Sequence, residues 1–222
     1  MKPKIYALPG LAADRRIYLE FEFQHADFEV IEWELPKDPK MGFKEYAEQL
    51  SQHIPSGTNH YLCGVSLGGM IAQEMALITQ PIRTFVISSI KRSQPLPLLI
   101  EGIRKVRLNE WMHWKQVKKL PIAVKPLLSN SIQRDLVPKM LTDSDSDFSD
   151  WAVQQILNRN VSSDISNCMV IHGTSDKVFP YDESVTDLTI PKGNHFMVMG
   201  QGKEISQWMD QIIAQDEVDI RE

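Results

Sequence analysis

Apolar residues along this chain follow two alternating rhythms. Short, nearly continuous apolar runs occupy residues 5–8, 28–33, 61–65, 84–88, 169–172 and 184–190. The central ones lack a polar face, which predicts strands covered on both sides. Between them the spacing lengthens. Phe43, Tyr46, Ala47, Leu50 and Ile54 recur at helical intervals, and so do Ile205, Trp208, Met209, Ile212 and Ile213. Strand–helix alternation predicts an α/β fold: a mainly parallel, six-stranded sheet with helices on both faces.

The alternation lapses between residues 91 and 161. That stretch lacks a strand pattern and is cut by Pro95, Pro97, Pro121, Pro126 and Pro138. It reads as a helical insertion after the fourth strand. The expected organisation is therefore one core domain, 1–90 and 162–222, with an inserted helical cap over 91–161. The polar tail from residue 216 is expected to fray.

Composition narrows the class without naming it. A chain of 222 residues has room for one substantial core. Its net charge of −5 gives no global reason to expect nucleic acid. Cys63 and Cys168 cannot form a disulfide framework and lack zinc-ligand spacing, so they read as core thiols in a reducing compartment. The opening apolar stretch is interrupted by Pro9-Gly10 and followed by Asp14-Arg15-Arg16, unlike a signal peptide. A cytoplasmic protein is the expectation. No run approaches the length of a transmembrane helix.

Chemistry enters at Gly64-Val65-Ser66-Leu67-Gly68-Gly69, where a strand pattern gives way to a helix pattern. A serine hydroxyl is a weak nucleophile until a base adjoins it. In an open parallel sheet, reactive groups gather past the C-terminal ends of strands. Ser66 follows the third strand, Asp176 the fifth and His195 the sixth.

These segments resemble the α/β-hydrolase superfamily. The likeness rests on the Gly64-x-Ser66-x-Gly68 elbow, on Gly173-x-x-Asp176-x-Val178-x-Pro180, and on Gly193-Asn194-His195-Phe196, in the family's order Ser…Asp…His. It implies Ser66 as nucleophile, His195 as general base and acid, and Asp176 as the carboxylate that orients the imidazole. It further implies that the backbone N–H groups of Leu11 and Leu67 face the oxyanion. The chain departs from many members by lacking an N-terminal hairpin and by carrying Pro9-Gly10 where they have His-Gly.

The expected activity is hydrolysis of a small-to-medium carboxylic ester or related acyl compound through an acyl-enzyme, with no cofactor and no metal. A cofactor-free lyase or acyltransferase on the same triad is the alternative, as is a non-catalytic small-ligand-binding protein. Trp111, Trp114 and Trp151 are candidate walls of an apolar pocket, with Leu127 and Leu128 beside them. Asp182 rivals Asp176 from beyond Pro180. His172 reads as a core or rim histidine, and Asp14 as a cap for a helix near Arg15. Asp143-Ser144-Asp145-Ser146-Asp147 begins like a calcium loop, but Phe148 and Gln154 occupy its glycine and glutamate positions. It reads instead as a cap for a helix over 151–158. Residues 91–139 carry eleven Lys or Arg against three Asp or Glu. Such a stretch can lie on anionic lipid; the simpler reading is a cap helix with its lysines in solvent. The expected partner is a small acyl substrate, and oligomeric state is not legible.

Overall fold

The computed structural model describes residues 2–105 and 121–219. Six strands are present: β1 (Lys4–Leu8), β2 (Asp27–Val30), β3 (His60–Val65), β4 (Thr84–Ile87), β5 (Cys168–Gly173) and β6 (Leu188–Ile190). They form one sheet in the order β2-β1-β3-β4-β5-β6, and every neighbouring pair is parallel.

The sheet is buried on both faces because its residues alternate between two apolar clusters. Ile5 and Ala7 of β1, with Tyr61 and Cys63 of β3, meet Ile205, Met209 and Ile213 of the last helix, α6 (Val198–Asp219). Tyr6, Leu8 and Leu62 meet Tyr46 and Leu50 of α1 (Phe43–Ser51) and Ile71 and Met75 of α2 (Leu67–Thr79). Helix α2 has apolar side chains all round and is buried over most of its length, as a helix wedged between a sheet and another helix must be.

Three strands are shorter than their apolar runs, β4 by one residue at Ile87. The ladder of β2, an edge strand, ends at Val30, although the Ile31 N–H still donates to the Ala7 carbonyl at 2.9 Å. Ahead of β6, Asp182 caps a 3-10 turn over Glu183–Val185 by accepting from the Ser184 N–H, and this local bond displaces strand pairing. The tail also differs from expectation. Helix α6 runs to Asp219, because the Asp216 carboxylate is buried and accepts from the Arg83 guanidinium at 2.7 Å.

Between β4 and β5 lie α3 (Leu98–Lys105), a 3-10 stretch over Pro121–Leu127, α4 (Ser131–Asp143) and α5 (Ser146–Leu157). Asn130 caps α4 by accepting from the Gln133 N–H at 2.9 Å. Asp145 caps α5 by accepting from the Phe148 N–H at 2.8 Å. The acidic loop thus starts its helix earlier than residue 151, since Asp145 itself takes the cap position. Asp14 caps the short helix Arg15–Tyr18 through the Arg16 N–H. No helix among the described residues is long and apolar enough to cross a membrane.

Strand order reverses between β1 and β3. In open parallel sheets that reversal leaves a crevice at the strands' C-terminal ends. Backbone strain gathers on the same edge of the sheet. Ala12, Ser66, Ser88 and Lys192, past the ends of β1, β3, β4 and β6, all have positive φ without being glycine.

Candidate active site

Ser66 stands in this crevice, at the turn from β3 into α2, with φ +55° and ψ −115°. The turn closes because two neighbours lack side chains. A Cβ on Gly64 would lie 2.2 Å from the Gly68 carbonyl oxygen, and one on Gly68 would lie 2.2 Å from that of Leu8. The strained serine is gripped from two sides. Its N–H donates to the Ile87 carbonyl at 2.9 Å, and the Ser89 hydroxyl donates to its carbonyl at 2.6 Å.

The sheet brings three distant residues together there. Ser66 Oγ lies 3.0 Å from His195 Nε2, and His195 Nδ1 lies 2.9 Å from Asp176 Oδ2. The Asp176 side chain is wholly buried. Burial alone would raise its pKa, but hydrogen bonds from His172 and His195 outweigh that effect and hold the carboxyl well below its usual range. Its other oxygen accepts from the Val178 and Phe179 N–H groups at 2.8 and 3.0 Å. An ionised carboxylate can only accept, so Nδ1 of His195 carries the proton. Nε2 is then left as an acceptor for the Ser66 hydroxyl.

His172 belongs to this arrangement. Its Nε2 donates to the Phe179 carbonyl at 2.8 Å and lies 3.3 Å from Asp176 Oδ2. Asp182 does not belong: it is exposed, with Oδ1 occupied by Ser184.

Leu67 is the first residue of α2, where a backbone N–H has no acceptor within the helix. Leu11 lines the cavity beside Ser66. The preceding carbonyl, of Gly10, accepts from Trp33 Nε1 at 2.9 Å and from the Ala13 N–H at 3.2 Å. In a trans peptide the C=O and N–H point opposite ways, so these two bonds aim the Leu11 N–H away from Trp33.

No protein-family model matches the sequence, and no curated relative matches it. Solved structures do. A thermophilic esterase from Thermogutta terrifontis superposes with a TM-score of 0.72 at 16% identity, over 97% of this chain and 90% of that one. ClbQ of the colibactin NRPS/PKS pathway gives 0.65 at 15% identity, over 98% and 99%. YbtT, a type II thioesterase of the yersiniabactin NRPS/PKS pathway, gives 0.62 at 11% identity, over 96% and 94%.

The chain has the α/β-hydrolase fold.

On this α/β-hydrolase sheet, described residues of the segment between β4 and β5 line a cavity of about 330 Å³ beside Ser66. Among the described residues, its only polar side chains are those of Ser66 and His195. Val137, Met140 and Leu141 of α4 and Val153, Ile156 and Leu157 of α5 form much of the wall. Both triplets recur at i, i+3 and i+4, one stripe per helix. Of the tryptophans named from the sequence, Trp151 does not supply this wall. Trp111 and Trp114 lie outside the described residues. Trp151 is buried in the core against Phe43, Tyr46 and Phe148, and its Nε1 donates to the Met41 carbonyl. Leu128 is also a core residue, whereas the aliphatic stripes carry the same periodicity that marks any amphipathic helix.

The α4 helix also holds the histidine loop. Gln133 is 1% exposed, and its Nε2 lies 3.1 Å from Asn194 Oδ1 and 3.0 Å from both the Phe196 and Met199 carbonyl oxygens. Its Oε1 accepts from Asn194 Nδ2 at 2.9 Å and from the Ser129 N–H at 2.8 Å. One amide therefore grips the residues on both sides of His195. Gln133→Leu removes one donor from Asn194 Oδ1 and from the Phe196 and Met199 carbonyls, and takes an acceptor from Asn194 Nδ2 and the Ser129 N–H. Its expected effect is a fall in kcat of roughly tenfold with a smaller change in KM, measured on a short neutral ester.

Proposed function

We propose that the protein is a serine hydrolase that cleaves carboxylic esters or thioesters with an aliphatic acyl group, through Ser66, His195 and Asp176 and an acyl-enzyme intermediate. The observation that carries this reading is the unbroken hydrogen-bond chain from Ser66 Oγ through His195 to a buried, ionised Asp176, beside an apolar cavity.

Each part follows from its surroundings. Ser66 attacks the acyl carbon while His195 Nε2 takes its proton. Asp176 fixes the imidazole tautomer and stabilises the cation that forms. The Leu67 and Leu11 N–H groups receive the oxyanion. Such preset donors require no reorganisation during reaction, and each is typically worth about 3 kcal/mol of transition-state stabilisation. Water then repeats the sequence on the acyl-enzyme. In this reading the helices between β4 and β5 act as a cap that shapes the acyl pocket.

Cavity size sets the acyl class. A 150 Å³ apolar cavity holds a benzene ring. On that scale about 330 Å³ accommodates an acyl chain on the order of ten carbons. A series of p-nitrophenyl esters from acetyl to hexadecanoyl tests this: kcat/KM is expected to rise to a maximum near eight to twelve carbons (roughly, on the same scale) and then fall. A series with no turnover at any length would defeat the reading. Val153→Phe places a ring in the cavity and is expected to move the maximum about two to four carbons shorter. An unmoved maximum would place the acyl chain elsewhere.

A further inference from the structure

We propose that the leaving group of the substrate carries a phosphate, received in a second lobe of the site by Lys177 and Lys192. This rests on the hydrolase reading above and names the side of the substrate that the apolar cavity leaves open.

A second recess of about 290 Å³ adjoins the first, and the two have only Val178 and His195 in common. Their linings differ in kind. The first is aliphatic, whereas the second includes Lys177, Lys192, Ser129, Ser175 and Asn194 and no carboxylate. The shared histidine decides which part of the substrate belongs in which lobe. As the Ser66 Oγ–acyl bond forms and the bond from acyl carbon to leaving oxygen or sulfur breaks, the serine proton passes through His195 to that leaving atom. The leaving group therefore departs on the His195 side, and the acyl chain stays in the apolar cavity.

Charge in the second lobe departs from that of the whole chain. The protein carries 29 acidic against 24 basic residues, yet this recess is lined by two lysines and no carboxylate. Neither lysine is ion-paired with a carboxylate among the described residues. Asp176, the nearest acid in sequence to Lys177, has no exposed side-chain surface, and Asp187, the nearest to Lys192, accepts from the Val170 N–H at 2.7 Å. The lysines also stand on fixed backbone. Lys177 lies between Asp176 and Val178 in the turn closed by the Val178 N–H on Asp176 Oδ1. Lys192 has φ +59°, a conformation that glycine adopts freely and other residues disfavour, and its N–H donates to Thr174 Oγ1 at 2.8 Å. Asn194, also in the lining, is held in place: its Nδ2 donates to the Leu127 carbonyl at 2.7 Å and to Gln133 Oε1 at 2.9 Å. Two lysines beside polar, uncharged lining residues suit a phosphate.

The test compares two matched pairs of substrates with one acyl chain: octanoyl-CoA against S-octanoyl-N-acetylcysteamine, and octanoyl glycerol 3-phosphate against octanoyl glycerol. The ratio of kcat/KM, charged over neutral, is expected to fall about tenfold in Lys177→Ala/Lys192→Ala. In the wild type it should also fall as salt rises from about 20 to about 300 mM. A loss in the thioester pair alone assigns a thiol carrier, and a loss in the glycerol pair alone assigns an alcohol. Ratios unmoved by loss of the lysines in both pairs overturn the proposal. If the wild type cleaves none of the four, the hydrolase reading fails separately, and binding decides the proposal. Octanoyl-CoA should then bind about tenfold more weakly to Ser66→Ala/Lys177→Ala/Lys192→Ala than to Ser66→Ala; equal affinities overturn it.

Discussion

Ser66→Ala is expected to lower kcat on a medium-chain p-nitrophenyl ester by about 10⁵–10⁶, with the fold intact. The magnitude follows from how the triad works as a unit. Without Oγ there is no atom to carry the acyl group, and His195 and Asp176 can at most assist water. The fold should tolerate the change because little of it depends on that oxygen. The elbow is held by backbone groups, Ser66 N–H to Ile87 and Ser66 carbonyl from Ser89, and by the absence of side chains at Gly64 and Gly68. Alanine adopts φ +55° no more readily than serine does, so the strain carries over unchanged. Circular dichroism and thermal unfolding of the variant check that half of the expectation. A variant that retained more than about one hundredth of wild-type kcat would point to another nucleophile.

Asp176→Asn is the second large effect, and its cause is subtler. The amide is close to the same shape, so His195 stays near its place. Asparagine, however, can donate a hydrogen bond to Nδ1, which favours the tautomer with its proton on Nε2. That tautomer cannot accept the Ser66 proton. A fall in kcat of about 10⁴ is expected. The carboxylate also ties stability to pH. Its native pKa is depressed below the unfolded value of about 3.9, with burial opposed and outweighed by the contacts from His172 and His195. Its contribution is therefore present in full above about pH 4 and is lost as pH falls toward the native value. The difference in Tm between wild type and Asp176→Asn should narrow as pH is lowered from neutrality towards 3. A difference that stays constant would mean that the carboxylate is not held ionised in the fold.

The sequence made the sheet legible because β1, β3, β4 and β5 are apolar on both faces, so period-two alternation and continuous burial point to the same segments. It was less legible where polar side chains compete with strand pairing. Asp182 turned the start of the 184–190 run into a 3-10 turn, and the edge position of β2 let the chain leave the sheet at Ile31. Ser66, Asp176 and His195 were readable because each follows a strand at its C-terminal end, where a parallel sheet gathers its reactive groups.

What surrounds them was not readable. His172 lies four residues before Asp176 at the end of a strand, and only the Asp176 turn brings its Nε2 close to Oδ2. Gln133 reaches the His195 loop across 61 to 66 residues of sequence. Nothing in a lone glutamine signals such a reach. Trp151 was misread by residue type. Trp151, Tyr46 and Phe148 form a core cluster, whereas smaller aliphatic residues of α4 and α5 leave the space above Ser66 open.

The central claim is that Ser66 is an activated nucleophile. The direct measurement is the intact mass of wild type and Ser66→Ala after incubation with a fluorophosphonate. The expected result is one covalent adduct on the wild type and none on the variant. An unlabelled, folded wild type, or an adduct that persists in Ser66→Ala, would contradict the account.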